Sequence, residues 1–195
     1  MFALEDAPEE ELSTHSLCLR APRRSDLRAL DEAIQETLPQ LVRFLPWARP
    51  QHTRQDTRRY LRGARLARTR RRAFEFLIED IRNQAVLGIT SLHRIDWARR
   101  CAGVGYWIRS SAWGHGFATE ATQATIEHAF RDLGLHRLEV HIAPENRASL
   151  RVVEKLGFRR EGLARESELI DGRYADHIQY SLLRSDEFEA HGRPQ

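Results

Sequence analysis

Apolar and polar positions change period several times along the chain, and each change marks an element. HSLCLR over 15–20 alternates and predicts a first strand, after which Leu27, Leu30 and Ile34 share one side of a helix spanning Asp26 to Thr37. Leu45-Pro46-Trp47 breaks the pattern as a loop. A second helix from about His52 to Arg72 carries a narrow stripe of Tyr60, Leu61, Ala64 and Ala67. Ala73–Ile81 and Ala85–His93 read as a meander turning near Arg82-Asn83, and a third strand follows from Ala102 to Ile108. Ala118, Ala121, Thr125, Ile126, Ala129 and Leu133 then recur at helical spacing up to Gly134, a helix-closing glycine. Arg137–Ala143 alternates again, Arg147–Leu156 forms a short helix closed by Gly157, and Phe158–Ile170 with Arg173–Leu183 makes a hairpin about Asp171-Gly172. The order β α α β β β α β α β β predicts an α/β (α+β) domain, a mixed central sheet of about seven strands with about four helices on its two faces.

The stretch from Gly103 to Leu133 organises the rest. Gly114 and Gly116 lie in a strand-to-helix turn, and the first amides of the following helix have no partner within it. Such a turn suits an anion, most simply a phosphate. It lacks the third glycine of a dinucleotide fingerprint and the Gly-Lys-Ser/Thr of a Walker loop, and by itself it reads equally as a device for reversing the chain.

Charge sharpens this picture. The net charge is +3, but Arg49 to Arg72 holds ten arginines against the single acid Asp56, so the remainder of the chain is net acidic. That helix predicts a solvated cationic face, or an attractor for an acidic partner such as RNA. Cys18 and Cys101 form no metal or redox spacing, no pair of histidines has the spacing of a zinc helix, and no apolar run reaches membrane length. The expectation is a cytoplasmic protein without a metal. Residues 1–13 read as a disordered acidic leader, 14–184 as the domain and 185–195 as a loose tail.

Several separated motifs together resemble the GNAT N-acetyltransferases, and within them the RimJ/RimL branch that acetylates the N-terminal amines of ribosomal proteins. These are Leu45-Pro46-Trp47, GYWIRSSAWGHGFATEA from Gly105 to Ala121, APENRAS from Ala143 to Ser149, EKLGFRREG from Glu154 to Gly162 and DGRYADH from Asp171 to His177. Ser111 stands where the general GNAT phosphate loop begins with Gln or Arg. The resemblance implies acetyl-CoA as co-substrate, with its pyrophosphate on the main chain of Trp113, Gly114, His115, Gly116, Phe117 and Ala118 and with Thr119 adding a hydroxyl. It implies pairing of the pantetheine arm with Tyr106, Trp107 and Ile108, and a cleft where Arg137–Ala143 splays from that strand.

Further roles follow from the same resemblance. Asn146 would contact pantetheine, although a helix N-cap explains it as well. Ser149 would serve the departing thiolate and Glu168 would be the general base, with Glu139 and His141 as runner-up bases. Trp47, Tyr106 and Tyr174 would line the acceptor side, while Asp176 and His177 would support the site or simply belong to the last strand. The implied reaction is direct acetyl transfer to a primary amine, a protein N-terminus or alternatively a polyamine or aminoglycoside, by a monomer or homodimer. An RNA- or ribosome-binding module without catalysis, working through Arg49 to Arg72, is the reading from a different class.

Overall fold

The computed structural model describes residues 11–186, so most of the leader and tail expected at the two ends lies outside it. Eight strands form one sheet: β1 (Leu12–Ser13), β2 (Leu17–Arg20), β3 (Phe74–Asp80), β4 (Val86–Asp96), β5 (Cys101–Ile108), β6 (Arg137–Ile142), β7 (Arg159–Ile170) and β8 (Arg173–Leu183). Their order across the sheet is β1-β2-β3-β4-β5-β6-β8-β7, antiparallel except between β5 and β6. Four α-helices cover it: α1 (Leu27–Phe44), α2 (Arg54–Thr69), α3 (Phe117–Arg131) and α4 (Arg147–Lys155).

The mixed sheet and the four helices match the sequence expectation, with one strand more. Leu12 and Ser13, within the expected leader, pair with Leu19 and Cys18. The first helix also runs seven residues beyond Thr37, through Pro39 to Phe44. Proline cannot donate to the carbonyl four residues back, but Pro39 and Gln35 both lie on the exposed side, where solvent replaces that bond.

Alternation along the strands sorts side chains onto two faces. Phe74, Phe76, Ile78, Val104, Ile108, Leu138, Val140, Ile142 and Leu182 pack with Phe117, Ala121, Ile126, Ala129, Phe130, Leu150 and Val153 of α3 and α4. Leu77 and Ile89 meet Leu30, Ile34, Leu41 and Leu61 of α1 and α2 on the opposite face. A buried ion network, Arg20 with Asp26 at 2.8 Å and with Glu79 at 2.6 Å, joins β2 to β3 and the start of α1. Against the burial that raises it, the Arg20 guanidinium and the main-chain amide of Arg23 hold the Asp26 carboxyl below its usual range.

Much of the arginine run serves this framework. Arg54 pairs with Asp31, Arg59 with Asp56, Arg68 stacks over Phe74 and Phe76, and Arg71 lies over Trp97. Among the described residues no helix is long and apolar enough to cross a membrane.

Candidate active site

β5 and β6 set the site. They pair only from Cys101↔Arg137 to Gly103↔Glu139, and beyond Val104 and Val140 the two strands separate. A gap opens in the middle of the sheet with α4 on one face and the α1–α2 connection on the other.

At the far end of β5 the chain makes a 3₁₀ turn over Ser110–Ala112 and then enters α3. Gly114 and Gly116 have φ of 82° and 84°, so glycine is demanded by the left-handed backbone. A Cβ at either would meet nothing within 4 Å, which leaves the space above the turn open. Among the described residues the amides from Gly114 to Thr119 meet no main-chain acceptor, and the next amide, Glu120, is the first to donate back into the helix. Six successive donors at a helix N-terminus fit a pyrophosphate group. The Trp113 indole donates to the Ile108 carbonyl at 2.7 Å and fastens the turn to β5.

A residue outside the predicted motif holds this turn in place. Glu36 of α1 accepts from the Ser111 amide at 2.7 Å, the Ser110 hydroxyl at 3.0 Å and the Arg109 guanidinium, where Nε lies at 2.9 Å. Arg109 and these donors hold its carboxyl at about 2. The Ser111 amide is thereby committed inside the protein. No local pattern marks Glu36, because its partners lie more than seventy residues away.

On the α1–α2 side the gap opens into a cavity of about 900 Å³. Its wall includes Trp47, Glu139, His141, Glu168 and His177. Cross-strand register explains their convergence, since Glu139 and His141 lie opposite Ser181 and Gln179, and His177 lies opposite Ala164. Between Ala164 and Glu168 β7 carries extra residues, with Glu166 at φ 48° and its amide donating to Asp176 at 2.8 Å. Two extra residues leave the alternation unchanged, so Glu168 keeps the face of Ala164, and they set it opposite Ala175, next along the cavity face from His177, in place of Arg173. Asp176 therefore braces the bulge, whereas His177 is buried in the cavity wall with no partner for Nδ1 among the described residues.

Burial, aided by Arg94, lowers the pKa of His141, against the pull of Glu139 and Glu168. Burial likewise pushes His93 down to about 4, and His177 falls below its ordinary value for the same reason. All three imidazoles are neutral near pH 7. Arg137 donates to Glu139 at 2.8 Å, which ties up that runner-up base, whereas no described side chain donates to Glu168.

The remaining predicted residues divide. Trp47 and Trp107 meet at the cavity mouth with ring centroids 6.4 Å apart. Tyr106 borders the cavity but directs its hydroxyl to the Ser149 carbonyl at 3.1 Å, bridging the gap to α4. Ile108 is core. Asn146 caps α4 by accepting from the Ser149 amide at 3.2 Å, and Ser149 itself does not line the cavity. Tyr174, 69% exposed on the outer hairpin, does not line this cavity. Its neighbour Ala175 shares the face of Glu168, so alternation along β8 turns Tyr174 outward.

His93 escaped the sequence reading although its signature was there. A Cβ on Gly103 would come within 2.6 Å of the His93 Nε2, and one on Gly105 within 3.1 Å of the Ser91 hydroxyl. Two glycines alternating inside a strand mark a face that something bulky approaches. Here that something is the imidazole from β4.

Residues 16–159 match the family model described as Acetyltransferase (GNAT) domain. Among curated proteins, an uncharacterized N-acetyltransferase of Bacillus licheniformis is 38% identical over 111 residues, 57% of this chain and 61% of that protein. The ribosomal-protein-serine acetyltransferase of Escherichia coli is 28% identical over 170 residues, 87% of this chain and 94% of that one. A spermidine N(1)-acetyltransferase of Vibrio cholerae is 31% identical over 110 residues, covering 56% and 63%. The first three curated relatives are spanned over only 55–64% of their length. Among solved structures, RimL, a ribosomal L7/L12 alpha-N-protein acetyltransferase in complex with coenzyme A, superposes with a TM-score of 0.83 at 26% identity, covering 89% of this chain and 98% of that one.

Proposed function

The chain belongs to the acetyltransferase (GNAT) domain family, and on that premise we propose that it transfers the acetyl group of acetyl-CoA to a primary amine, with a protein N-terminal α-amine as acceptor. One observation carries the reading. The run of unpartnered amides from Gly114 to Thr119 and the cavity holding Glu168 lie along the same opened β5–β6 gap, so an anionic donor and an amine acceptor meet there from different sides.

The donor supplies a thioester, and the rest falls to the protein. Main-chain amides of Gly114 to Thr119 hold the pyrophosphate, the Trp113 amide being committed to the Ser110 carbonyl at 3.2 Å, with the Thr119 hydroxyl beside them, and Tyr106 to Ile108 with Asn146 guide the pantetheine arm. Glu168 takes the ammonium proton through a water, the freed amine attacks the thioester carbonyl, and the carbon–sulfur bond breaks. Ser149 hydrogen-bonds or protonates the departing thiolate. No cysteine enters, so the transfer is direct. An α-amine of pKa ~7.7–8.0 is roughly 10% neutral at pH 7, while a lysine amine of pKa ~10.4 is neutral in fewer than about one molecule in a thousand. A water-mediated carboxylate base suits the former.

The relatives support both acceptor classes. Similarity to ribosomal-protein acetyltransferases covers most of the chain, which favours an N-terminus. Asp56, Glu75, Glu139 and Glu168 in the cavity wall favour a polyamine as the second reading. Acetyl-CoA turnover, followed as thiol release, separates them. Peptides with free Ser, Ala or Met N-termini are expected to react, and a lysine peptide with a blocked N-terminus is not. Turnover with spermidine alone would move the assignment to polyamines, and thiol release with no amine at all would remove amine transfer.

A further inference from the structure

The cavity wall contains a carboxylate for which the proposed reaction has no use. Glu75 lies on β3 opposite Ser91 of β4, and Ser91 lies opposite Gly105 of β5, so the three form one row across the face beneath α1 and α2. With strands spaced ~4.8 Å, that row puts Glu75 about 10 Å from the β5 edge of the gap. The Tyr60 hydroxyl of α2 donates to one carboxylate oxygen at 2.9 Å. No described side chain donates to the other.

The cations nearby are otherwise engaged. Arg68 stacks over Phe74 and Phe76 at 5.0 and 4.8 Å and donates to the Glu75 main-chain carbonyl at 3.3 Å. Arg59 pairs with Asp56 at 2.8 Å. Burial pushes the Glu75 carboxyl up to about 7, against the opposing influences of Tyr60 and Arg68. A carboxylate withdrawn from water with one hydrogen bond is under-compensated, and an arriving cation relieves it. If the pair served only to pin α2 to β3, apolar side chains of similar size would do it without the desolvation cost.

We infer that Glu75, oriented by Tyr60, is a subsite for an alkylammonium group that the acceptor carries at a distance from its reacting amine. This rests on the proposed reading only in taking the cavity's occupant to be an amine acceptor. A diamine and a peptide with a basic side chain near its N-terminus present the same chemistry, and the test separates the two sources.

The measurement is calorimetric binding to the full chain in the presence of CoA, at about pH 8, where a carboxyl held at about 7 is ionised. One arm compares 1,6-diaminohexane with hexylamine. The other compares peptides with N-terminal serine that differ in lysine or norleucine at the third position. In at least one arm the wild type is expected to favour the doubly charged ligand by about tenfold or more. Glu75→Gln abolishes that preference while affinity for the singly charged ligand stays within about twofold.

Tyr60→Phe leaves the carboxylate in place and reduces the preference, which keeps the test decisive if Glu75→Gln does not fold. Equal binding of both ligands by the wild type overturns the subsite. So does a preference that survives Glu75→Gln, the result a purely structural pair would give, with only the melting temperature lowered. Thiol release is measured on the same samples: a preference without turnover retains the subsite and removes acetyl transfer, and turnover without a preference does the reverse.

Discussion

The two sides of the β5–β6 gap are built on opposite principles. The proposed donor side is a single continuous stretch, Gly114 to Thr119, that presents main-chain amides and depends on two left-handed glycines. The acceptor side draws side chains from β3, β4, β6, β7, β8 and the α1–α2 connection, including Trp47, Glu75, His93, His141, Glu168 and His177. Main-chain donors are the same whatever the residue, so the donor side tolerates sequence variation such as Ser111 in the first loop position. Side-chain walls change with each substitution. A family can therefore keep its donor and diversify its acceptor, in line with relatives here that are ribosomal-protein and spermidine acetyltransferases at similar identities.

Substitutions on one side should leave the other unchanged, and the largest effect is expected at the proposed base. Glu168→Gln should lower kcat by about 10²–10⁴-fold while calorimetric affinity for CoA stays constant. Loss of CoA binding in this variant would dissolve the separation of the two sides. Gly103→Ala, which drives a methyl group towards the His93 imidazole, should reduce kcat/KM by about tenfold to a hundredfold and stability by about 1–3 kcal/mol, again with CoA affinity intact.

The smallest effect crosses from α1 to the donor turn. Glu36→Gln frees the Arg109–Ser111 segment and should raise the CoA dissociation constant by roughly tenfold without changing acceptor KM. Its pH signature has a definite sign. The folded pKa is depressed to about 2, so the contribution is complete above the ordinary carboxylate range and fades as pH falls towards about 2. In acid unfolding, wild type and Glu36→Gln should differ most near neutrality and converge at the acid end.

Local features were the legible ones. The helix α3, the glycine turn before it, the Asp171-Gly172 hairpin with φ of 47° and 75°, and the order of elements follow from period, caps and turn residues within a few positions of each other. The end of α1 was not legible, since the helix continues past Thr37 through Pro39, and a proline is tolerated there only because that side of α1 is exposed, which is a tertiary fact. Glu168 was named through resemblance alone. Its register beside His177, opposite Ala175, depends on the bulge braced by Asp176, and plain alternation does not predict a bulge.

Glu36, Glu75 and His93 went unnoticed for one shared reason. Glu75 is a single acid in the apolar run FEFLI, His93 ends the strand expected from Ala85, and Glu36 sits on the partly exposed side of a helix, so none stands in a motif. What singles them out is the company they keep: Tyr60, Gly103 and the Arg109–Ser111 turn. The sequence by itself determined the elements, their order and the main-chain anion turn, because those depend on backbone preference and short-range periodicity. Only the tertiary structure decided which charges share the cavity and what each one faces, because burial and pKa are set by neighbours that register, bulges and helix packing bring from distant parts of the chain.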